Sequence, residues 1–276
     1  MSGASPDDVR LSHGVHEFRA ECLNPDIELR VEWAETLRAW PGERVFDSGA
    51  LWQVFREDGY LVFDFTSPVL SFHPYKRLRV DRDFRSGEVV LSREALDKHR
   101  PICPLEYPTD ELLVTNYLAS GLGVEVHGCG LTDVDAGGQL FLGHSGAGKS
   151  TTAMLWKSLR GPEILSDDRV ILRLHDGELW MYGTPWHGEA AFASAGRAKL
   201  ERIFILEHGE GNRMRMLPKA HAVGELFARC FPPFHSPAGL ENTLQFLSRV
   251  ANTVPCYEFH FVPDGTAVQV AAEFNG

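Results

Sequence analysis

The stretch GQLFLGHSGAGKSTTAML, Gly138–Leu155, decides the fold. Its first part is apolar and has the length of a strand, whereas apolar side chains after Lys149 recur three or four residues apart, as in an amphipathic helix. Gly143, Gly146 and Gly148 lie between the two parts and permit backbone angles that other residues resist. The stretch therefore predicts a strand, a glycine-rich loop and a helix.

The glycine-rich part, GHSGAGKS, fits the phosphate-loop pattern G-x-x-x-x-G-K-[ST]. In such a loop, backbone N–H groups point at one anion, a lysine neutralises the β- and γ-phosphates, and a hydroxyl coordinates Mg²⁺. A turn that only caps a helix would not need the lysine and the hydroxyl. We expect ATP, with GTP or pyrophosphate as alternatives, to bind Gly143, His144, Ser145, Gly146, Ala147, Gly148, Lys149, Ser150 and Thr151.

The bulk properties exclude several classes of protein. The chain has 276 residues, of which 43% are hydrophobic, enough for one large or two small domains. A net charge of −11 without a basic run argues against nucleic acid as the main partner. No apolar run approaches the roughly 20 residues that span a bilayer, and the N-terminus lacks the pattern of a signal peptide. Five scattered cysteines without a C-x-x-C pair favour a reducing, cytoplasmic setting.

The distribution of strand and helix patterns indicates two regions. Residues 1–105 are β-rich, with alternating or β-branched segments such as DIELRVEW and GYLVFDF. The proline-rich segment HRPICPLEYP marks a boundary. Residues 106–276 then alternate strand and helix patterns around the phosphate loop. We therefore expect an α/β phosphate-loop domain preceded by a β-rich N-terminal region.

The segment EILSDD places two carboxylates, Asp167 and Asp168, at the end of an apolar strand. Phosphoryl transfer needs a ligand for Mg²⁺ and a group that orients the nucleophile, and two close carboxylates raise the pKa of one of them. Two solvated turn residues are the alternative. Glu207 also follows an apolar run, RIFILE, and is a second candidate for the acid.

These motifs together resemble the C-terminal catalytic domain of HPr serine kinase/phosphorylase. The matching segments are VHGCGLTDVDAGGQLFLGHSGAGKS and EILSDDRV, with a His-Gly before the loop and an Asp-Asp after it. The resemblance implies a phosphoenolpyruvate-carboxykinase-like fold. It also implies that Asp167 is the base toward a serine hydroxyl and that His127 lies at the active site. We expect Ser150 and Asp168 to hold Mg²⁺ and Lys149 to act in catalysis.

The sequence also departs from that family. His144 stands where the family usually has Asp, Thr151 stands where it usually has Glu, and its signature segment after the aspartates has no counterpart. The chain therefore looks like a divergent relative, similar to the HPr-kinase-related proteins and lasso-peptide serine kinases. The resemblance implies a hydroxyl-bearing acceptor of unknown identity and is compatible with a homo-oligomer. The departures argue against HPr itself as that acceptor.

Further candidates lie after the acidic pair. The loop YGTPWHGE offers Trp186, His187 and Glu189 toward substrate or metal, or as a packed aromatic loop. A clamp on the phosphates could come from one of four basic residues: Arg197, Lys199, Arg215 and Lys219.

The main functional hypothesis is a Mg²⁺- and ATP-dependent kinase that phosphorylates a serine-type hydroxyl on a protein, peptide or small molecule. The alternative is a non-catalytic nucleotide-binding sensor or regulatory module. A carboxykinase-type enzyme acting on a small acid is a third hypothesis. Such an enzyme needs additional metal ligands, and the sequence offers none that can be identified.

Overall fold

The computed structural model describes residues 10–11, 13–96 and 102–274. The expected absence of a signal peptide at the N-terminus, and the start of the proline-rich boundary, concern residues 1–9 and 97–101, which lie outside the described residues. The chain divides into two compact units. The first runs to Tyr117, and the second comprises Glu17–Arg19 together with the chain from Leu118 onward.

The first unit is built on a six-stranded sheet. A short 3₁₀ helix, His13–Phe18, precedes the strands. The strands are β1 (Glu28–Ala34), β2 (Glu43–Asp47), β3 (Trp52–Glu57), β4 (Tyr60–Ser67), β5 (Ser71–Asp81) and β6 (Ser86–Ser92). Their order is β1-β6-β5-β4-β3-β2; β1 pairs with β6 in parallel and the other pairs are antiparallel. Helix α1 (Thr109–Leu118) follows the sheet. The β-rich character predicted for the N-terminal region is confirmed.

The core of the first unit combines aliphatic and aromatic side chains with one buried cation. Val62, Phe63 and Leu78 are fully buried. Lys76 is also fully buried, lies over the Phe65 ring, and bonds with its ammonium group to the Glu106 carbonyl oxygen at 3.3 Å. Burial lowers the pKa of Lys76.

The second unit contains a mixed sheet of eight strands. These are β7 (Gly123–Asp133), β8 (Gly137–Leu142), β9 (Glu163–Ser166), β10 (Arg169–His175), β11 (Glu178–Tyr182), β12 (Arg197–His208), β13 (Arg213–Met216) and β14 (Cys256–Phe261). The main order is β11-β10-β7-β8-β12-β14-β13, and β9 pairs with β7. Strands β8, β12 and β14 are parallel, so their carboxyl ends share one edge. Strand β9 ends at the same edge, because β8 and β9 both run antiparallel to β7.

Four helices cover the two faces of this sheet: α2 (Lys149–Arg160), α3 (Lys219–Phe227), α4 (Pro237–Thr253) and α5 (Gly265–Glu273). Leu140 and Leu142 of β8 join a core with residues of α3 and α4, whereas Phe141 joins a core with residues of α2 and α5. This alternation follows from the two-residue period of a strand. The second unit is therefore a mixed α/β structure with helices on both faces of the sheet.

The predicted strand, loop and helix around the phosphate loop are confirmed as β8 and α2. The predicted end of an apolar strand at the acidic pair is also confirmed, since β9 ends at Ser166 and the two aspartates lie between β9 and β10. The apolar run RIFILE lies within β12, which is twelve residues long. Within the described residues, no helix is both long enough and apolar enough to cross a membrane.

Candidate active site

The phosphate loop connects the carboxyl end of β8 to the first turn of α2. Gly146 and Gly148 have φ angles of 82° and 100°, which only glycine adopts without strain. A hydrogen bond of 3.1 Å from the Ala147 N–H to the His144 carbonyl closes the turn. Residues 146–150 thus combine the conformation and helix start that present backbone N–H groups to an anion.

Backbone carbonyl groups of the loop hold the Lys149 side chain. Its ammonium group donates hydrogen bonds of 2.9 Å to the carbonyl oxygens of Gly143 and His144. Only 7% of the residue is exposed, and burial lowers its pKa, an effect that the charge of Arg229 increases and the charge of Asp168 opposes. The cation is thus fixed beside the loop and within electrostatic reach of Asp168.

Asp167 is the most strongly hydrogen-bonded carboxylate of the site. It accepts backbone N–H bonds from Gly188 at 2.9 Å, Ala190 at 3.0 Å and Phe192 at 3.2 Å. The Ser150 hydroxyl donates a fourth bond of 3.2 Å. Through these four bonds, the carboxylate joins the start of α2 to the loop that follows β11. The residue is only 1% exposed.

Asp168 has different surroundings. One carboxylate oxygen lies 3.2 Å from Nδ1 of His127, and the other lies 3.3 Å from Nε of Arg169. The hydrogen bond with His127 lowers the pKa of Asp168 below its ordinary value; burial opposes this shift, and the charges of His127, Arg169 and Lys149 add to it. Asp168 is therefore a charged group held from two sides.

His127 and Arg169 lie opposite each other on β7 and β10. Arg169 also lies 3.4 Å from the carboxylate of Glu125, a fully buried side chain, and its guanidinium group lies over the rings of Phe231 and Trp186. The backbone N–H of His127 donates to the Arg229 carbonyl at 2.7 Å. Arg169 is thus both an ion-pair partner and a packed side chain, which limits the movement of Asp168.

These groups surround one pocket of about 360 Å³ at the carboxyl edge of the sheet. Of the residues predicted from the sequence, Ser145, Gly146, Gly148, Lys149, Ser150, Thr151, His127, Asp167, Asp168 and Glu189 line it, together with Gly188. Gly143, His144 and Ala147 belong to the same loop but do not line the pocket. The structure therefore brings the loop, both aspartates and the histidine together.

Other sequence candidates do not line this pocket. Glu207, the second candidate for the acid, lies 3.4 Å from a guanidinium nitrogen of Arg229. The four basic residues considered as a phosphate clamp lie elsewhere: Arg197 over the Trp180 ring, Lys199 beside Glu178, Arg215 beside Glu258, and Lys219 at the first position of α3. The exposed imidazole of His187 lies 3.1 Å from the Gly188 carbonyl oxygen.

Sequence reasoning missed Gly188, Arg169, Glu125 and Arg229. The position of Arg169 directly after the acidic pair, and that of Glu125 two residues before His127, were available signals for two of them. The signal for Glu125 follows from the two-residue period of a strand, which places it on the same face of β7 as His127. Arg169 shares that face because it is paired with His127 across β7 and β10, and only its adjacency to the acidic pair is visible in the sequence.

Comparison with known proteins gives only weak similarity, at the level of solved structures. No protein-family model matches the chain, and no curated protein matches it. The HPr(Ser) kinase/phosphatase from Coxiella burnetii is similar in structure at a TM-score of 0.32 and 14% sequence identity, over 53% of this chain and 89% of that chain. Similarity at this level gives no argument for a shared activity.

Proposed function

We propose that the chain is a Mg²⁺- and ATP-dependent kinase that phosphorylates a serine-type hydroxyl, with a carboxykinase-like arrangement of its phosphate-loop unit. The observation that carries the proposal is the convergence of a phosphate loop, a Ser150–Asp167 pair and an Asp168–His127 pair on one pocket. A structural glycine turn would require none of these partners. Bound ATP would supply the phosphoryl group, and bound Mg²⁺ would neutralise charge on the phosphate oxygens.

The residues of the loop fit a magnesium nucleotide. The positive φ angles of Gly146 and Gly148 support a cradle of backbone N–H groups, and Lys149 is placed beside it. Among the described residues, no group of three or more His, Cys, Asp or Glu side chains is arranged to hold a metal ion. This agrees with the usual site for Mg²⁺ in kinases, where one or two protein ligands act with substrate phosphates. Ser150 and Asp167, whose carboxylate accepts a hydrogen bond of 3.2 Å from the Ser150 hydroxyl, would be those ligands.

The geometry favours an exchange of the roles expected for the two aspartates. Asp167 is next to the Ser150 hydroxyl and its oxygens accept three backbone N–H bonds, which suits a group that fixes the metal side of the site. Asp168 lines the pocket with His127 and is free of the loop amides. We therefore assign to Asp168 the orientation of the acceptor hydroxyl, with its proton passing to the Asp168–His127 pair. In a loose transition state, orientation matters more than basicity.

One observation favours the second candidate, a nucleotide-binding sensor without catalysis. Contacts with His127 and Arg169 lower the pKa of Asp168, which makes its carboxylate a weaker proton acceptor. A sensor would bind the nucleotide through the same loop and would transfer no phosphate.

The test has two readouts. Calorimetry measures the binding of ATP, GTP and pyrophosphate in the presence of Mg²⁺, and γ-labelled ATP measures transfer to an array of serine, threonine and tyrosine peptides. Binding together with transfer that is lost in Asp168→Asn supports the kinase and the exchanged roles. Transfer lost only in Asp167→Asn would restore the roles expected from the sequence. Binding without transfer to any acceptor would favour the sensor.

A further inference from the structure

Glu189 is a carboxylate of the candidate pocket that the proposed chemistry does not use. It lines the pocket with Lys149, Asp168 and His127. Glu189 is exposed, and it forms no ion pair with any described residue of the chain. Asp167 and Asp168, by contrast, are engaged by backbone N–H groups, by His127 and by Arg169.

The backbone of Glu189 is fixed on both sides. The N–H groups of its neighbours, Gly188 and Ala190, both donate to the Asp167 carboxylate. A solvated surface glutamate requires no such anchoring. A specificity group does require it, because recognition depends on a backbone that holds the side chain within a small range of positions.

The distribution of charge around the pocket shows which kind of group would approach Glu189. The nearby cations are enclosed and already engaged: Lys149 by loop carbonyls, Arg169 by Asp168 and Glu125, and Arg229 by Glu207 and Glu225. The Arg229 side chain is 2% exposed, whereas the side chains of Glu207 and Glu225 are 47% and 40% exposed. These three cations are thus already paired, whereas Glu189 is an exposed carboxylate in the lining of the pocket.

We propose that the acceptor carries a cationic group beside its hydroxyl and that Glu189 is the residue that selects for it. The inference rests on the proposed kinase function and specifies its substrate class. An arginine guanidinium or a lysine ammonium group next to the phosphorylated serine would pair with Glu189 while the hydroxyl lies at Asp168. An acidic acceptor would be repelled by the same carboxylate, so the residue provides selection in both directions.

The experiment uses two fluorescent serine peptides of one length, one with two arginines and the other with two glutamates flanking the serine. Anisotropy measures their binding to the full chain with Mg²⁺, with and without a non-hydrolysable ATP analogue, at low and at high salt. We expect the arginine peptide to bind more tightly, and this preference to fall roughly threefold in Glu189→Gln and about tenfold in Glu189→Lys.

The matched control is Glu178→Lys. Glu178 pairs with His175 in the register of β10 and β11, at the opposite end of β10 from Arg169, and its exposed carboxylate lies beside Lys199. This variant changes the net charge of the chain as Glu189→Lys does. An equal loss of preference in both variants would show non-specific attraction to an acidic protein and would overturn the inference.

The remaining outcomes separate this inference from the kinase proposal. Equal binding of both peptides with phosphate transfer would overturn the role of Glu189 and leave the kinase. A preference for the arginine peptide that depends on Glu189, without any phosphate transfer, would support the recognition site and contradict the kinase proposal. A Glu189→Gln variant with altered Mg²⁺ dependence of nucleotide binding and an unchanged peptide preference would assign Glu189 to the metal, which overturns the inference.

Discussion

The Ser150 hydroxyl donates a hydrogen bond of 3.2 Å to the Asp167 carboxylate, which joins the first turn of α2 to the end of β9. The same carboxylate accepts N–H groups of Gly188, Ala190 and Phe192. One buried side chain thus connects the phosphate loop with the loop that carries Glu189. A change on either side of Asp167 should therefore be detectable on the other.

Replacing Lys149 by alanine should remove most of the affinity for magnesium nucleotide. The ammonium group is the cation that the loop itself contributes. One charge-assisted hydrogen bond to a phosphate contributes about 1.5–3 kcal/mol, so losing one such bond predicts a loss of affinity of roughly 10- to 150-fold. Calorimetry with ATP and Mg²⁺ measures it. Lys157→Ala is the matched control, because Lys157 lies on the same helix and its ammonium group donates to the Pro162 carbonyl oxygen, away from the loop. Equal affinities of the two variants would contradict a working phosphate loop.

Asp167→Asn should loosen the loop after β11, whereas Asp168→Asn should not. An amide has one acceptor oxygen, so the NH₂ group of the new side chain would face N–H donors of the loop. Unsatisfied buried donors cost about 1–3 kcal/mol, and we expect the free energy of unfolding to fall by that amount.

Hydrogen exchange of the amides at positions 188, 190 and 192 provides the local readout for this pair of variants. Exchange should accelerate in Asp167→Asn and remain at the wild-type rate in Asp168→Asn, whose carboxylate contacts His127 and Arg169. Equal acceleration in both variants would show that the two aspartates anchor this loop equally, which would contradict the prediction.

The phosphate loop could be predicted from the sequence because its chemistry is local. The glycines, Lys149 and Ser150 lie within eight residues, and strand and helix patterns flank them directly. The acidic pair was also recognisable, because a break in an apolar strand one helix after such a loop has few structural uses. Both predictions depend on short sequence distances.

The different surroundings of Asp167 and Asp168 could not be predicted in this way. They depend on residues 188–192, which return to β9 after an intervening hairpin, and on β7, which precedes the phosphate loop. The same applies to Arg229, whose carbonyl accepts the His127 N–H across more than a hundred residues of chain. Single-sequence patterns carry no register for pairings of that length.

Acidification should destabilise the second unit through His235. Burial lowers its pKa from 6.5 to about 4. Because the unfolded chain binds a proton more tightly than the folded one, the stability from neutral His235 is complete above pH 6.5 and is lost as the pH falls to about 4. Between pH 7 and pH 5 we expect a loss of about 2 kcal/mol. Urea unfolding at both pH values should show this loss in the wild type and a smaller one in His235→Gln, and equal losses would exclude His235 as the cause.

Gly188→Ala should weaken the magnesium-dependent part of nucleotide binding. A Cβ at this position would lie 2.8 Å from a carboxylate oxygen of Asp167 and 3.4 Å from the Ser150 hydroxyl oxygen, so the carboxylate or the loop must shift. Either movement alters the Ser150–Asp167 pair, and we expect about a tenfold loss of affinity with Mg²⁺ and little change without it. Gly211→Ala is the control, since a Cβ there meets no heavy atom within 4 Å. Calorimetry with and without Mg²⁺ distinguishes the outcomes: a loss of affinity that is equal under both conditions would place the effect on the phosphate loop, and unchanged binding would separate Gly188 from the metal side of the site.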